Sequence, residues 1–461
     1  MANLDPRIFR SYDIRGKAHE QVSKEACFLI GKAFGSAIRE MYQKEHPIVV
    51  VGRDARTHGP ELEKAVIDGL LSTGCHVLSI GQTASPINYF TICTQKCDAG
   101  IQVTASHNPK EDNGLKLQIR DAQAYSGNDL QTLRERIARE NFLIGNGTLK
   151  KIDACTPYKT YLSNMFQNTG KNLHVVVDSG NGVAGPLYIE VLKHIGCTVT
   201  ELFTEPDGTF PNHPADPSKW DTLRDLQKTV KNVKADIGFA FDGDGDRIGV
   251  VDEKGEIRTA DEVLLLLAED HLSRHRGKPI VFTVSNSSIL ETEIAQWNGL
   301  PIMCTVGHSF VEHTMREHGA LLGGEQSGHF FFGEEYFGFD DALMAALRLL
   351  SILQKRSMPF SDLFIEFPKV YQTPEYRPTC PDEDKARIVE EIKRHFFKKK
   401  YPINTLDGAR IDFGDSAWAG IRKSNTAPKL SVCMEARSPK KLKEVEKEVM
   451  GILKKYPEIQ W

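Results

Sequence analysis

Short β-branched runs recur along this chain, each closing on a polar turn and each followed by a longer stretch of helical periodicity. Pro47-Ile48-Val49-Val50-Val51-Gly52, Leu173-His174-Val175-Val176-Val177-Asp178 and Pro279-Ile280-Val281-Phe282-Thr283-Val284 read as buried strands of this kind. Buried strands alternating with amphipathic helices form βαβ units, and so an α/β fold with mainly parallel sheets. The three strands open comparable stretches near residues 47, 173 and 279, a spacing that predicts a repeated α/β domain.

The tail breaks the pattern. Tyr401 to Arg437 reads as strands and turns, after which Ser438-Pro439 caps a charged helix with Leu442, Val445, Val449 and Leu453 on one face. A run of strands followed by a helix predicts a smaller α+β domain. Domains are expected at 1–150, 151–253, 254–365 and 366–461, and the length of 461 residues by itself suggests about three. Within them, Thr259 to Glu262 forms a capping box, and Asp340-Asp341 places acidic groups at the start of another helix.

Composition removes several classes of function. A formal charge of −4 argues against a nucleic-acid partner, which needs a basic face. No apolar run approaches the roughly 20 residues of a membrane span. The start, Met1-Ala2-Asn3-Leu4-Asp5-Pro6, lacks the marks of a signal peptide. Nine cysteines form no Cys-x-x-Cys pair, and Cys75, Cys197 and Cys433 lie in or beside apolar segments. A reduced, cytoplasmic protein is expected.

Four segments carry chemistry. Thr104-Ala105-Ser106-His107-Asn108-Pro109 follows the strand-like Gly100-Ile101-Gln102-Val103. It could start a helix, with Asn108 as N-cap and Pro109 in the first turn. Asn113-Gly114 then interrupts any helix before Leu115-Lys116-Leu117-Gln118 resumes an extended pattern, so a turn displaying Ser106 is the expectation. Whether Ser106 is a nucleophile or part of a structural turn stays open on these residues alone.

Asp242-Gly243-Asp244-Gly245-Asp246-Arg247 lies between two strand-like runs, Ile237 to Phe241 and Ile248 to Val251. Three carboxylates at alternate positions repel unless they surround a cation, and oxygen ligands select Mg²⁺ or Ca²⁺. An EF-hand fails, because its sixth loop position needs glycine and here is Arg247. Gly323-Gly324-Glu325-Gln326-Ser327-Gly328-His329 is either a polar turn or a loop that binds hydroxyl groups. Arg422-Lys423-Ser424-Asn425-Thr426-Ala427-Pro428 has the cations, hydroxyls and amide of a phosphate cradle, although a lone basic turn is usually solvated surface. Together they hold the parts for phosphoryl transfer to or from a sugar.

With these motifs the chain closely resembles, over essentially its whole length, the α-D-phosphohexomutases, the superfamily of phosphoglucomutase, phosphomannomutase and phosphoglucosamine mutase. Phe9-Arg10-Ser11-Tyr12-Asp13-Ile14-Arg15-Gly16 is similar to a substrate-contacting segment of that superfamily. Gly52-Arg53-Asp54-Ala55-Arg56 and Asp178-Ser179-Gly180-Asn181-Gly182 are similar to its sequences too. The resemblance implies three α/β domains and a smaller C-terminal one around a central cleft, each contributing one loop.

It further implies a phosphoserine at Ser106 and one Mg²⁺ held by Ser106, Asp242, Asp244 and Asp246. Arg247 would neutralise developing charge, while Lys116 and His107 would move protons. Tyr12, Arg15, His308, Glu325, Ser327 and His329 would contact substrate, and Arg422, Ser424, Asn425 and Thr426 would hold the non-reacting phosphate. The reaction implied exchanges phosphate between C1 and C6 of a hexose, with hexose 1,6-bisphosphate as activator. Small hexose phosphates would be the only partners, and the chain a monomer or weak oligomer.

Ser424-Asn425-Thr426, Asp207 to Pro214 and Phe337 to Asp341 resemble the phosphomannomutase/phosphoglucomutase branch. Two features depart from its pattern: Gln326 stands where methionine is common, and Val284-Ser285-Asn286-Ser287 lacks a lysine often supplied there. Phosphoglucosamine mutase, and a non-catalytic sugar-phosphate-binding protein, are the alternatives.

Overall fold

The structure is a computed structural model describing residues 4–425 and 427–461. Its contacts divide the chain into two compact units, Met1–Leu267 with Ser327–Ile365, and Ala268–Gln326 with Glu366–Trp461.

The first unit holds two mixed sheets. In one, Ile48–Arg53 pairs in parallel with His76–Gln82 and Ala99–Val103. Asp112–Ile119 then runs antiparallel to Ala99–Val103 and to Ile14–Lys17. In the other, His174–Asp178 pairs in parallel with Thr198–Leu202 and Ile237–Phe241, and Ile248–Asp252 returns antiparallel to Ile237–Phe241. The same arrangement thus occurs twice. A fully buried parallel strand ends, a loop turns the chain, and an antiparallel strand leaves. Residues 104–111 and 242–247 are those two loops, each at the carboxyl end of a parallel strand, where open α/β sheets place their ligands.

In the second unit Pro279–Thr283 pairs in parallel with Leu300–Cys304 and Leu322–Gly324. Residues 325–329 follow the last of these, so the third expected repeat also puts its loop at a strand end. The C-terminal sheet is antiparallel throughout, in the order Tyr371–Gln372, Leu430–Ala436, Trp418–Lys423, Ala409–Asp412, Ile403–Asn404. The helices Asp382–Lys398 and Pro439–Leu453 cover it through Ile388, Ile392, Phe396, Val445, Val449 and Leu453, each side chain contributing about 2 kcal/mol by burial.

The caps follow from the residues at the helix starts. Glu262 N donates to Thr259 Oγ1 at 3.2 Å while Thr259 N donates to Glu262 Oε2 at 2.8 Å, a reciprocal capping box. Asp341 caps Ala342–Arg356 by accepting from Met344 N at 3.0 Å, and Ser438 accepts from Lys441 N at 3.2 Å. All nine cysteines are free, and burial pushes the Cys433 thiol up to about 12. No helix among the described residues is long and apolar enough to cross a membrane.

Candidate active site

Residues 104–111 form the turn expected from the sequence, with no helix in it. Thr104 N donates to Gly114 O at 3.0 Å, Ser106 N to Thr104 Oγ1 at 2.8 Å and Asn108 N to Ala105 O at 3.0 Å. These bonds hold Ser106 at φ 52°, in the left-handed region that non-glycine residues enter only under constraint. Ser106 Oγ donates to Asp242 Oδ2 at 2.7 Å and lies 3.0 Å from His107 Nδ1. A hydroxyl has one proton, so His107 Nδ1 is the donor in the second contact.

The loop at 242–247 is organised by its first aspartate. Asp242 Oδ1 accepts from the backbone N–H groups of Gly245, Asp246 and Arg247 at 3.0–3.1 Å. Gly243 allows the loop to meet the serine turn, since a Cβ there would stand 2.6 Å from Ser106 O. Gly245 takes φ 76°, which a side chain would resist. The three aspartates are fully buried, with one oxygen of each within 4.8 Å of the others.

Asp244 Oδ2 accepts from Ser85 Oγ at 2.5 Å and Lys116 Nζ at 2.6 Å, and Lys116 also bonds Asp246 Oδ2. Asp244 Oδ1 and Asp246 Oδ1 are buried and have no hydrogen-bond donor among the described residues. Buried anionic oxygens of that kind need a cation, and an all-oxygen set suits a hard divalent one. The residues therefore fit a metal site.

The charges are strongly coupled. Burial and the carboxylates of Asp246 and Asp244 push Asp242 well above the usual carboxylate range. Burial would raise Asp246 too, but Lys116, His329 and Arg247 hold it below that range. Burial alone would lower the Lys116 ammonium, yet Asp244 and Asp246 drive it well above the ordinary lysine value. With two carboxylates bonded to it, the Lys116 side chain is held as a cation and hydrogen-bond donor.

Arg247 Nε donates to His329 Nε2 at 2.9 Å, and His329 Nδ1 lies 2.7 Å from Asp340 Oδ2. His329, 2% exposed, thus stands behind Arg247. Arg15 is held by Asp13 at 2.6 Å and reaches Ala105 O at 3.3 Å and Asn108 Oδ1 at 3.2 Å, so it grips the serine turn. Tyr12 is half-buried, and its phenol contributes to the electrostatics of both Arg15 and Arg247. Ser327 is half-buried in the same unit.

In the second unit Glu325 Oε1 accepts from Gly307 N at 2.7 Å, next to His308, the first residue of the helix His308–His318. Asn425 Nδ2 donates to Val306 O at 2.9 Å, so the basic loop and the Glu325 loop meet at Val306-Gly307. Ser424 Oγ accepts from Arg377 Nη2 at 3.0 Å, while Lys385 Nζ donates to Ser424 O and Ala427 O, each at 3.0 Å. Arg422 is the penultimate residue of the strand Trp418–Lys423, and Thr426 lies outside the described residues. At Val284 to Ser287, where the lysine is lacking, Arg410 Nη1 donates to Val284 O and to Asn286 O.

Sequence reasoning had no role for Ser85, Asp340, Arg377 or Lys385. The acidic pair at 340–341 was visible as a helix start and within the branch-like Phe337 to Asp341, and the other three carried no local signal.

Comparison with known proteins identifies the family. Models of phosphoglucomutase/phosphomannomutase alpha/beta/alpha domains I, II and III match residues 6–143, 156–255 and 259–371, and the model of the C-terminal domain matches 375–452. A phosphomannomutase/phosphoglucomutase of Pseudomonas aeruginosa is 39% identical over 443 residues, 96% of this chain and 94% of that protein. A phosphoglucomutase of Neisseria meningitidis is 35% identical over the full length of both. The crystal structure of a phosphoglucomutase/phosphomannomutase family protein from Burkholderia thailandensis superposes with a TM-score of 0.91 at 36% identity, covering all of both chains. Four matched domains in order, with a serine turn and an aspartate loop in hydrogen-bond contact in the first unit, make this chain a member of the phosphoglucomutase/phosphomannomutase family of α-D-phosphohexomutases.

Proposed function

We propose that the chain is a phosphohexomutase that interconverts the 1- and 6-phosphates of mannose and of glucose through a phosphoserine at Ser106. The observation that carries this is the 2.7 Å bond from Ser106 Oγ to Asp242 in a buried loop whose other aspartates each keep an oxygen without a hydrogen-bond donor among the described residues. One Mg²⁺ is the cation proposed, held by Asp242, Asp244, Asp246 and a Ser106 phosphate. When bound, it supplies positive charge to the oxygens of the transferring group.

In the proposed cycle a sugar hydroxyl attacks the phosphorus on Ser106. The Oγ–P bond breaks as the new O–P bond forms, and the hydroxyl proton passes through His107 to Ser106 Oγ. Lys116 and Arg247, both buried cations, face the charge that builds on the phosphoryl oxygens. The 1,6-bisphosphate then returns its other phosphoryl group to Ser106 by the reverse steps. That exchange needs a second site for the idle phosphate, for which the loop at Arg422, Ser424, Asn425 and Thr426 is proposed, and Glu325, Ser327 and His308 for the hydroxyls.

The names of the relatives, phosphomannomutase/phosphoglucomutase and phosphoglucomutase, support mannose and glucose over glucosamine phosphate. None of the nine cysteines is in a disulfide, which supports a reducing, cytoplasmic setting.

The test is conversion of mannose 1-phosphate, glucose 1-phosphate and glucosamine 1-phosphate with Mg²⁺ and a trace of hexose 1,6-bisphosphate. Turnover of the first two is expected. No turnover of any of them, with Ser106 shown by mass spectrometry to be phosphorylated, overturns the proposal.

A further inference from the structure

We infer that Arg56, locked by Asp54, is the positioning residue of the Ser106 turn and aims its amide N–H groups at the phosphoryl group that Ser106 would carry. The inference rests on the mutase reading and gives a role to the motif Gly52-Arg53-Asp54-Ala55-Arg56, for which the sequence supplied none.

Every donor of the Arg56 guanidinium is used. Nε donates to Asp54 Oδ2 at 3.1 Å. Nη1 donates to Pro109 O at 2.6 Å and Asp112 O at 2.8 Å, and Nη2 to Ser106 O at 2.8 Å and Asn108 O at 2.7 Å. Three carbonyls of the turn, and that of Asp112 at the start of the next strand, therefore converge on a single cation that is 1% exposed. Only a planar fork with five donors can do this, and a lysine offers three from one point. The ring of Phe210 lies 5.4 Å from the guanidinium carbon and screens it from one side.

Asp54 fixes the fork and also reaches the nucleophile. Its Oδ1 accepts from Arg56 N at 3.0 Å, and its Oδ2 accepts from Thr104 Oγ1 at 2.6 Å. Thr104 Oγ1 in turn accepts from Ser106 N, so an unbroken chain joins Arg56 to the strained backbone of Ser106.

A consequence follows from peptide planarity. In a trans peptide the carbonyl and the next N–H point to opposite sides. Drawing Ser106 O and Pro109 O to Arg56 turns the N–H groups of His107 and Lys110 away from it. His107 and Lys110, with Ser106 and Phe210, wall a cavity of about 240 Å³ on the turn. Backbone N–H groups converging on one space are what a phosphoryl group requires. Arg56 thus acts through the backbone and touches no reacting atom.

The experiment compares the full-length wild-type protein with Arg56→Lys. It measures kcat and KM for mannose 1-phosphate, the rate at which hexose 1,6-bisphosphate phosphorylates Ser106, and amide hydrogen exchange over residues 104–113. The expected result is a folded variant with kcat about 100-fold lower, KM within about threefold, and Ser106 phosphorylation slowed in step with kcat. Exchange over the turn rises at least about tenfold while the rest of the sheet is unchanged.

A kcat within about threefold of wild type, or a loss confined to KM, overturns the inference. If Arg56→Lys does not fold, Asp54→Asn, which keeps the shape and weakens the lock, is expected to lower kcat about tenfold in the same pattern, and no change there overturns it. If the wild-type protein has no mutase turnover, it is the mutase reading that fails. The exchange over residues 104–113 then decides the role of Arg56: faster exchange in the variant upholds it, and unchanged exchange refutes it.

Discussion

Lys116 sits between Asp244 and Asp246 with 2% of its surface exposed, and three buried carboxylates depend on it for compensation. Removing one partner from such a group leaves uncompensated charge in a medium that solvates it poorly, at a cost of about 3–5 kcal/mol. Lys116→Met is therefore expected to melt well below wild type in the presence of a chelator. The proposed Mg²⁺ would bind the native carboxylates and not the unfolded chain, and more tightly where the Lys116 charge is missing, so adding it is expected to raise the melting temperature of the variant more than that of wild type. Calorimetry with and without chelator measures both shifts, and equal Mg²⁺ shifts in the two proteins would rule the argument out. At the same scale, Ser106→Ala removes the atom on which the whole cycle turns. It is expected to take up no phosphate from hexose 1,6-bisphosphate, and its turnover should fall at least about 10³-fold, read by intact mass and by rate.

One level up, the segment Asp207 to Pro214 brings Phe210 against Arg56 and the cavity beside Ser106, and it has no regular structure to hold it there. Side-chain bonds replace a ladder. Asn212 Nδ2 donates to Asn181 Oδ1 at 2.7 Å, and His213 Nε2 lies 3.1 Å from Asp178 Oδ2. Burial lowers the His213 imidazole, but the bond to Asp178 and its charge outweigh that, and the net shift is upward. A histidine raised in the folded state contributes its full stabilisation below the ordinary value of about 6.5 and loses it as pH climbs through the raised one. The melting temperature of wild type should thus exceed that of His213→Gln at pH 6, by a margin reflecting about 1.5 kcal/mol, and the margin should shrink by pH 9. A margin that stays constant or grows would show that Asp178 and His213 are not an ion pair.

For the molecule as a whole, legibility followed sequence distance. The turn at Ser106 and the aspartate loop could be read directly, because each is closed by residues a few positions apart and the spacing itself carries the geometry. Thr259 with Glu262, and Ser438 with Lys441, were legible for the same reason. What the sequence could not reveal are pairings across folded distance. Arg56 meets Ser106 from 50 positions away, Ser85 meets Asp244 from 159, and nothing near Ser85 announces an aspartate. Lys116 shows the limit most clearly: its identity was legible, but its protonation depends on carboxylates 128 and 130 positions distant.

In the proposed cycle the residues of the two units have different work. Ser106, Lys116, the aspartates and Arg247 belong to the first, whereas His308, Glu325, Ser424 and Asn425 belong to the second. In the proposed cycle, groups of the first kind act on charge that develops in the transition state, and those of the second hold parts of the sugar phosphate that do not react. Asp244→Asn should therefore lower kcat by about 10³-fold with KM little changed, since it removes a transition-state interaction. The pair Ser424→Ala and Asn425→Ala should instead raise KM by about tenfold or more and leave kcat within about threefold. Steady-state kinetics with mannose 1-phosphate separates the two, and a kcat loss shared equally by both sets would mean that the second unit takes part in the chemical step itself.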